Sequence, residues 1–486
     1  MRLLASGLVV SLAVSGLALS AQQRGAQPSQ PARPNPSTPP GNDWPMFGVD
    51  VGRSSAFMPA TGITADNVGT LTRQQVPIDG VVDASLIYLR AIQVGGALHD
   101  VFFATTTYGK TVAIDAKDGA VLWTYVPPGF ETWQGTRQIT NSTPVADPGR
   151  QHIYVASPDG KIARLAVADG KAVWSTAITR LPAREKMASP LAFFRGRVIA
   201  VTAGYIGDAP PYQGHVAILD GATGQLQHVW NSLCSDQHEL IEPASCTATR
   251  SAIWGRSGAV IDATTGNIYV ATGNGPWDGK TSWGDAVIVL DPDATKMIGN
   301  YTPSNTEELN ASDADVGSTS PVLLGGGFVA QGGKDNVIRL LGPQTLAGDA
   351  AHRGGELQAV PTPSGTRLFT APAVWRTATG TWMFAADGGG TAAWTFANNT
   401  LQPAWKNTIA GTSPVVAGGL LYVYDPRGGL RVYEPESGAM VANLEAGPGH
   451  WNSPIVVDGR IAAPEGGSSR GVATSGVINI WRVPAK

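Results

Sequence analysis

The chain has 486 residues, 43% of them hydrophobic and only 15% charged, with 60 glycines and 35 prolines. Those proportions exclude an extended disordered chain, which needs low hydrophobicity and high charge. They also exclude a helical bundle or coiled coil, which avoids glycine and proline. A net charge of −3 offers no basic face for nucleic acid.

Met1-Arg2 gives a positive start, residues 3 to 19 are apolar or small, and Ser20-Ala21 ends the run with small residues. That pattern reads as an export signal over residues 1–21, with no integral membrane segment once it is cleaved. Residues 22–41 are rich in Pro, Gln and Ser and read as an extended linker. The expected location is therefore periplasmic or secreted. Cys234 and Cys246 are the two cysteines, and in an oxidising compartment they are expected to pair.

From residue 42 onward the chain repeats. A small or hydroxyl residue followed by Pro and apolar residues recurs at Thr143-Pro144, Ser189-Pro190, Ser320-Pro321, Ala371-Pro372, Ser413-Pro414 and Ser453-Pro454. Weaker copies without Pro stand at Ser85-Leu86-Ile87 and Ser251-Ala252-Ile253. Each opening leads to an apolar strand such as HIYVAS (152–157), NIYVATG (267–273) or LLYVYD (420–425). A further strand then ends in a turn of the form Asp-x-x-Gly before a Trp, as in Asp115–Trp123. Alternation makes half-buried strands, the Gly supplies a positive-φ turn, and the Trp fills the gap between sheets. Eight units share the chain at about 56 residues each, the size of one four-stranded blade with its loops. The reading is an all-β, eight-bladed propeller of antiparallel blades, with seven blades as the alternative because two openings are weak. Ring closure is expected from the segment Thr70–Ile78 pairing with Val477–Val483.

The Asp115–Trp123 turn and the opening Asp43-Trp44-Pro45-Met46-Phe47-Gly48 resemble the pyrroloquinoline quinone (PQQ) repeat family, the quinoprotein alcohol dehydrogenase-like propellers. That resemblance implies an oxidoreductase that binds PQQ and Ca²⁺ on the axis. It would oxidise an alcohol or polyol and pass electrons to an external acceptor, since no C-x-x-C-H haem site is present. It also implies residue roles. Asn274, in Thr272-Gly273-Asn274-Gly275-Pro276-Trp277, corresponds to a calcium ligand beside the cofactor. Asp313 corresponds to the catalytic base and a metal contact, with Asp315 as the alternative. Lys334 would reach the quinone oxygens, and Trp254 would form the cofactor floor. The family's calcium-binding Glu is missing, and Asp208 is the nearest carboxylate that could replace it. The family's adjacent cysteine pair and its Arg near the first blade are missing too. A non-catalytic scaffold or ligand-binding propeller that has lost part of the site is therefore the second expectation, because catalysis needs the whole constellation.

Overall fold

The computed structural model describes residues 41–467 and 475–484. The expected signal and linker lie outside them, apart from Gly41. Eight four-stranded blades form a ring, and about 4% of the chain is helical. The first blade begins at Ile87–Val94, and the next six begin at Val145–Ala146, Ala192–Phe194, Val260–Ile261, Val322–Gly325, Ala373–Thr377 and Val415–Ala417. The eighth is composite. Ile455–Val457, Arg460–Glu465 and Gly476–Arg482 are completed by Thr72–Ile78, which pairs antiparallel with Gly476–Arg482 from Thr72↔Arg482 to Ile78↔Gly476. Ring closure thus falls where the sequence placed it, and the alternative of seven blades is excluded. No helix among the described residues is long and apolar enough to cross a membrane.

The repeat motif explains how blades pack. The Trp123 ring lies where a Cβ on Gly170 of the next blade would stand, only 2.6 Å away, and Gly170 has φ +72°. Trp174 against Gly224 and Trp405 against Gly438 repeat the arrangement at 2.5 Å. The Trp123 and Trp405 indoles donate to Val167 O (2.9 Å) and Pro435 O (2.7 Å) on the following blade. Any side chain at these glycines would push the indole out, so Trp and Gly specify each other across the interface.

The serines of the strand openings tie the blades together around the axis. Ser85 Oγ donates to Ser453 O (3.1 Å), Ser453 Oγ to Ser413 O (3.2 Å), and Ser189 Oγ to Gly255 O (2.9 Å). Ser320 Oγ accepts from the Ser257 amide at 3.2 Å. In the fourth blade the opening is Ser257-Gly258, with the strand starting at Val260, six residues beyond the expected Ser251. Gly258 has φ +65°, and a Cβ there would meet Pro190 O at 2.8 Å, so glycine fits where six of the other openings carry Pro.

The segment Trp44–Phe57 runs along the inner strands. It exchanges backbone hydrogen bonds with Tyr88, Ala146, Ile261, Val374 and Val416, that is, with five of the eight blades. Arg53, buried on this segment, donates to Phe47 O (2.8 Å) and Leu191 O (3.0 Å). The motif that carried the family resemblance is therefore a strap across the ring.

Candidate active site on the propeller axis

Asp83, Asn141, Arg256, Phe369 and Trp451 each stand four residues before the first strand of a different blade. First strands of neighbouring blades touch, so these segments converge on the axis. Trp254, Lys186 and Asp315 lie slightly further upstream on the same kind of segment.

One side of this cluster is acidic. Lys334 Nζ lies 2.7 Å from Asp313 Oδ1 and 2.5 Å from Asp315 Oδ1. Asp315 is fully buried, and its Oδ2 accepts the Trp254 indole N–H at 3.1 Å. The Lys334 ammonium also lies 5.0 Å from the Trp254 ring centroid, a cation–π distance. Burial alone would lower the Lys334 pKa, but the two carboxylates outweigh it and raise it. Burial raises the Asp315 pKa, and Lys334 only partly offsets that. Gly273 is what lets the group close up: a Cβ there would stand 3.1 Å from Asp315 Oδ2 and 3.2 Å from the Trp254 nitrogen. Asn274 follows directly and is buried, with no hydrogen bond to its side chain among the described residues. Behind them lies Asp285, fully buried, with no side-chain donor on either oxygen. Burial, and then the Asp315 charge, push its pKa up to about 8.

The other side is cationic. Arg256 is buried, with ring centroids of Phe47 and Trp451 at 5.6 and 5.5 Å. Its Nη1 donates to Ala188 O (3.1 Å) and Asn141 O (3.3 Å), while Nε and Nη2 have no partner among the described residues. Burial pushes its pKa down to about 10. Lys186 has no ion pair or hydrogen bond to its ammonium among the described residues, and burial brings its pKa down to about 8. Asp83 is the carboxylate that both cations feel. It is already engaged by His450 Nδ1 (2.9 Å), Asn141 Nδ2 (2.9 Å) and the Trp451 amide (2.9 Å). Aromatic rings join the two sides: Trp254 to Phe369 at 5.9 Å, Phe369 to Trp451 at 6.1 Å, and Trp451 to His450 at 4.3 Å. Trp254, Phe369, Trp451, Lys186 and Lys334 all keep part of their surface accessible.

Trp254, Lys334, Asp313 and Asp315 thus come together, with Asn274 beside them. Asp313 is the accessible carboxylate, its side chain 51% exposed, whereas Asp315 is sealed. Asp208 stands apart from the carboxylates. Its Oδ1 accepts the Tyr212 hydroxyl at 2.8 Å, and Tyr212 packs in the same apolar cluster as Trp254. No group of three or more His, Cys, Asp or Glu is placed to share a metal ion among the described residues. Cys234 and Cys246 are paired, as expected. Sequence reasoning missed Lys186, Arg256, Asp83, Phe369, His450 and Trp451. The signal was available in the repeat itself, since most of these residues lie just upstream of the strand openings.

An eight-bladed propeller with a polar, aromatic-lined axial cluster is the class that fold and site define. The sequence model of the family described as outer membrane protein assembly factor BamB, a PQQ repeat, matches residues 89–239. A quinohemoprotein alcohol dehydrogenase of Comamonas testosteroni is 27% identical over 321 residues, covering 58% of this chain and 41% of that protein. The chain therefore spans about two fifths of the length of that curated relative. The crystal structure of the C. testosteroni enzyme superposes with a TM-score of 0.65 at 17% identity, over 92% of this chain and 82% of that one. A europium-containing methanol dehydrogenase gives 0.66 at 13% identity, over 91% and 98%. The resemblance read from the repeat is borne out: the chain carries a match to the PQQ-repeat family model over residues 89–239 and is similar to quinoprotein alcohol dehydrogenases in sequence and fold.

Proposed function

We propose that this protein is an exported oxidoreductase that holds PQQ on the propeller axis and oxidises an alcohol or polyol, with an external electron acceptor. The observation that carries the reading is the set of unpartnered cationic donors beside accessible aromatic rings. PQQ is flat and carries three carboxylates. Among the described residues, Arg256 Nε and Nη2 and the Lys186 ammonium are donors without acceptors, and Trp254, Phe369 and Trp451 offer faces to a planar ring. A buried cation without a counter-charge is costly unless a ligand supplies one. The residues present fit the cofactor. When bound, PQQ supplies the two-electron acceptor for alcohol oxidation.

Each remaining role belongs to this chain. Arg256 and Lys186 bind carboxylate, Trp254 positions the ring plane, and Lys334 places positive charge where an oxygen gains electron density. Asp313 is the exposed carboxylate that takes the hydroxyl proton. Its Lys334 contact orients it, while Asp315, out of reach of substrate, positions Lys334.

Calcium was expected on Asn274, Asp313 and Asp208. Calcium takes six to eight oxygen ligands, several of them carboxylate. Here Asp208 is engaged by Tyr212, and Asp313 and Asp315 share an ammonium. Of the three expected ligands, Asn274 alone has a side chain without a partner. As these side chains stand, the donor set does not fit the ion, and no step is assigned to it.

The test is PQQ titration of the mature protein, followed by tryptophan fluorescence and thermal stability. Saturable quenching with a raised Tm, both lost in Arg256→Met, supports the reading. No change at saturating PQQ removes it and leaves a non-catalytic scaffold or ligand-binding propeller.

A further inference from the structure

We infer that Lys334 is a built-in cation: its ammonium takes the place of a divalent metal between Asp313 and Asp315, so that this axial site works without calcium. The inference rests on the reading of the cluster as a cofactor site, but its test needs no cofactor.

Three observations carry it. First, the ammonium bridges the two carboxylates, at 2.7 and 2.5 Å, and its side chain is only 10% exposed. A divalent ion bound to the same oxygens would sit against a fixed positive charge in a partly desolvated site, where like charges repel most strongly. Second, every other oxygen donor nearby is committed or uncharged. Asp315 Oδ2 accepts from Trp254, Asp208 accepts from Tyr212, and Asn274 offers a neutral amide. Third, the single ammonium has no contact to spare: the fully buried Asp285 carboxyl has no side-chain donor on either oxygen among the described residues. Removing the ammonium would leave the Asp313 and Asp315 carboxylates facing the space it held, with Asn274 following Gly273 beside Asp315. Two carboxylates and an amide are oxygen donors of the kind calcium takes.

The experiment is calorimetric titration of Ca²⁺ into wild-type protein, Lys334→Ala and Lys334→Met, without PQQ. The Met variant keeps an apolar stem over Trp254 without the charge, and circular dichroism checks that each variant is folded. Wild type is expected to show no site tighter than about 1 mM, the weak limit of extracellular calcium modules. At least one charge-removed variant should bind at least 100-fold tighter, and adding Asp315→Asn should abolish the gain. PQQ affinity of wild type should be the same, within twofold, in a chelator and in excess Ca²⁺. Micromolar Ca²⁺ binding by wild type overturns the inference, as does the absence of any gain in folded variants. Should both variants fail to fold, the wild-type titration alone decides. If PQQ binds to none of the proteins, the proposed function fails, while the calcium titration still reports on Lys334.

Discussion

The two sides of the axial cluster solve opposite charge problems. On one, among the described residues, Lys186 and Arg256 face a single carboxylate, Asp83, which His450 and Asn141 also contact, so two cations share one counter-charge. On the other, Asp313 and Asp315 share Lys334, and Asp285 stays protonated. The first arrangement is incomplete without an anion, whereas the second is closed by its own lysine. A planar polyanion laid across Trp254, Phe369 and Trp451 would complete the first side and meet a second side whose two carboxylates already share a lysine. The asymmetry gives the site a direction as well as a location.

The comparison breaks most readily at Lys186. Lys186→Met should weaken PQQ binding about 100-fold, roughly 2.7 kcal/mol, because it removes a desolvated charge aimed at the ligand. The same change should stabilise the free protein near neutral pH, since a buried ammonium without a partner costs free energy. A structural lysine would give the opposite sign. Fluorescence titration together with a thermal melt distinguishes the two. The wild-type pH dependence follows from the same group. Its folded pKa, about 8, lies below its usual value near 10.5. The unfolded chain therefore holds the proton over a range where the folded chain does not. Wild-type stability should rise as pH goes from about 8 to about 10.5, and Lys186→Met should flatten that rise.

Asp285 tests the other side with the reverse sign. Its folded pKa, about 8, lies above the ordinary 3.8, so the folded state keeps a proton that the unfolded state releases. Its contribution therefore falls as pH rises from about 4 to about 8, by at most about 1.4 kcal/mol per unit. Asp285→Asn keeps the shape without the ionisation. The variant should be about as stable as wild type near pH 4 and gain on it steadily up to pH 8, by about 1–2 kcal/mol between pH 6 and 8. Urea melts at four pH values would show this. A constant difference across that range would mean that Asp285 is ionised in the fold and paired in some other way.

The blades were legible in the sequence because the repeat repeats its physics. Asp115–Trp123 states a strand, a positive-φ turn and a wedge, and the Trp123–Gly170 contact shows why both ends of the motif are needed. Ring closure was legible for a similar reason: a strand near residue 75 without local partners matched an unpaired last strand. The fourth blade was misplaced by six residues because Gly258 stands where most of the other openings have Pro, and a glycine advertises a turn less clearly than a proline. Of the residues the fold brings together on the axis, those singled out in the sequence lie in short motifs: Trp254, Asn274, Asp313 and Lys334. Lys186, Arg256, Phe369 and Trp451 escaped because they come from four different blades and are four different residue types. A local pattern cannot show a constellation spread over a ring. Aligning the residues just before each strand opening would have brought most of them together.

The smallest expected effect concerns how Trp254 divides its work. Its ring faces Lys334 and Phe369, and its N–H holds Asp315. Trp254→Phe keeps a ring and removes the donor on Oδ2, so the Asp315 carboxylate loses one of the two groups that compensate its burial. The cost should be about 1–2 kcal/mol, in the range of a hydrogen bond to a charged acceptor, and a melt will show it as a drop of a few degrees. If the ring alone forms the cofactor floor, PQQ affinity should change less than about threefold in Trp254→Phe. It should fall well beyond that in Trp254→Ala, where the stacking face is gone. Equal losses in both variants would place the indole N–H, and through it the position of Asp315 and Lys334, ahead of the ring face in building the site. The acidic side would then shape the ligand's seat as much as the cationic side attracts it.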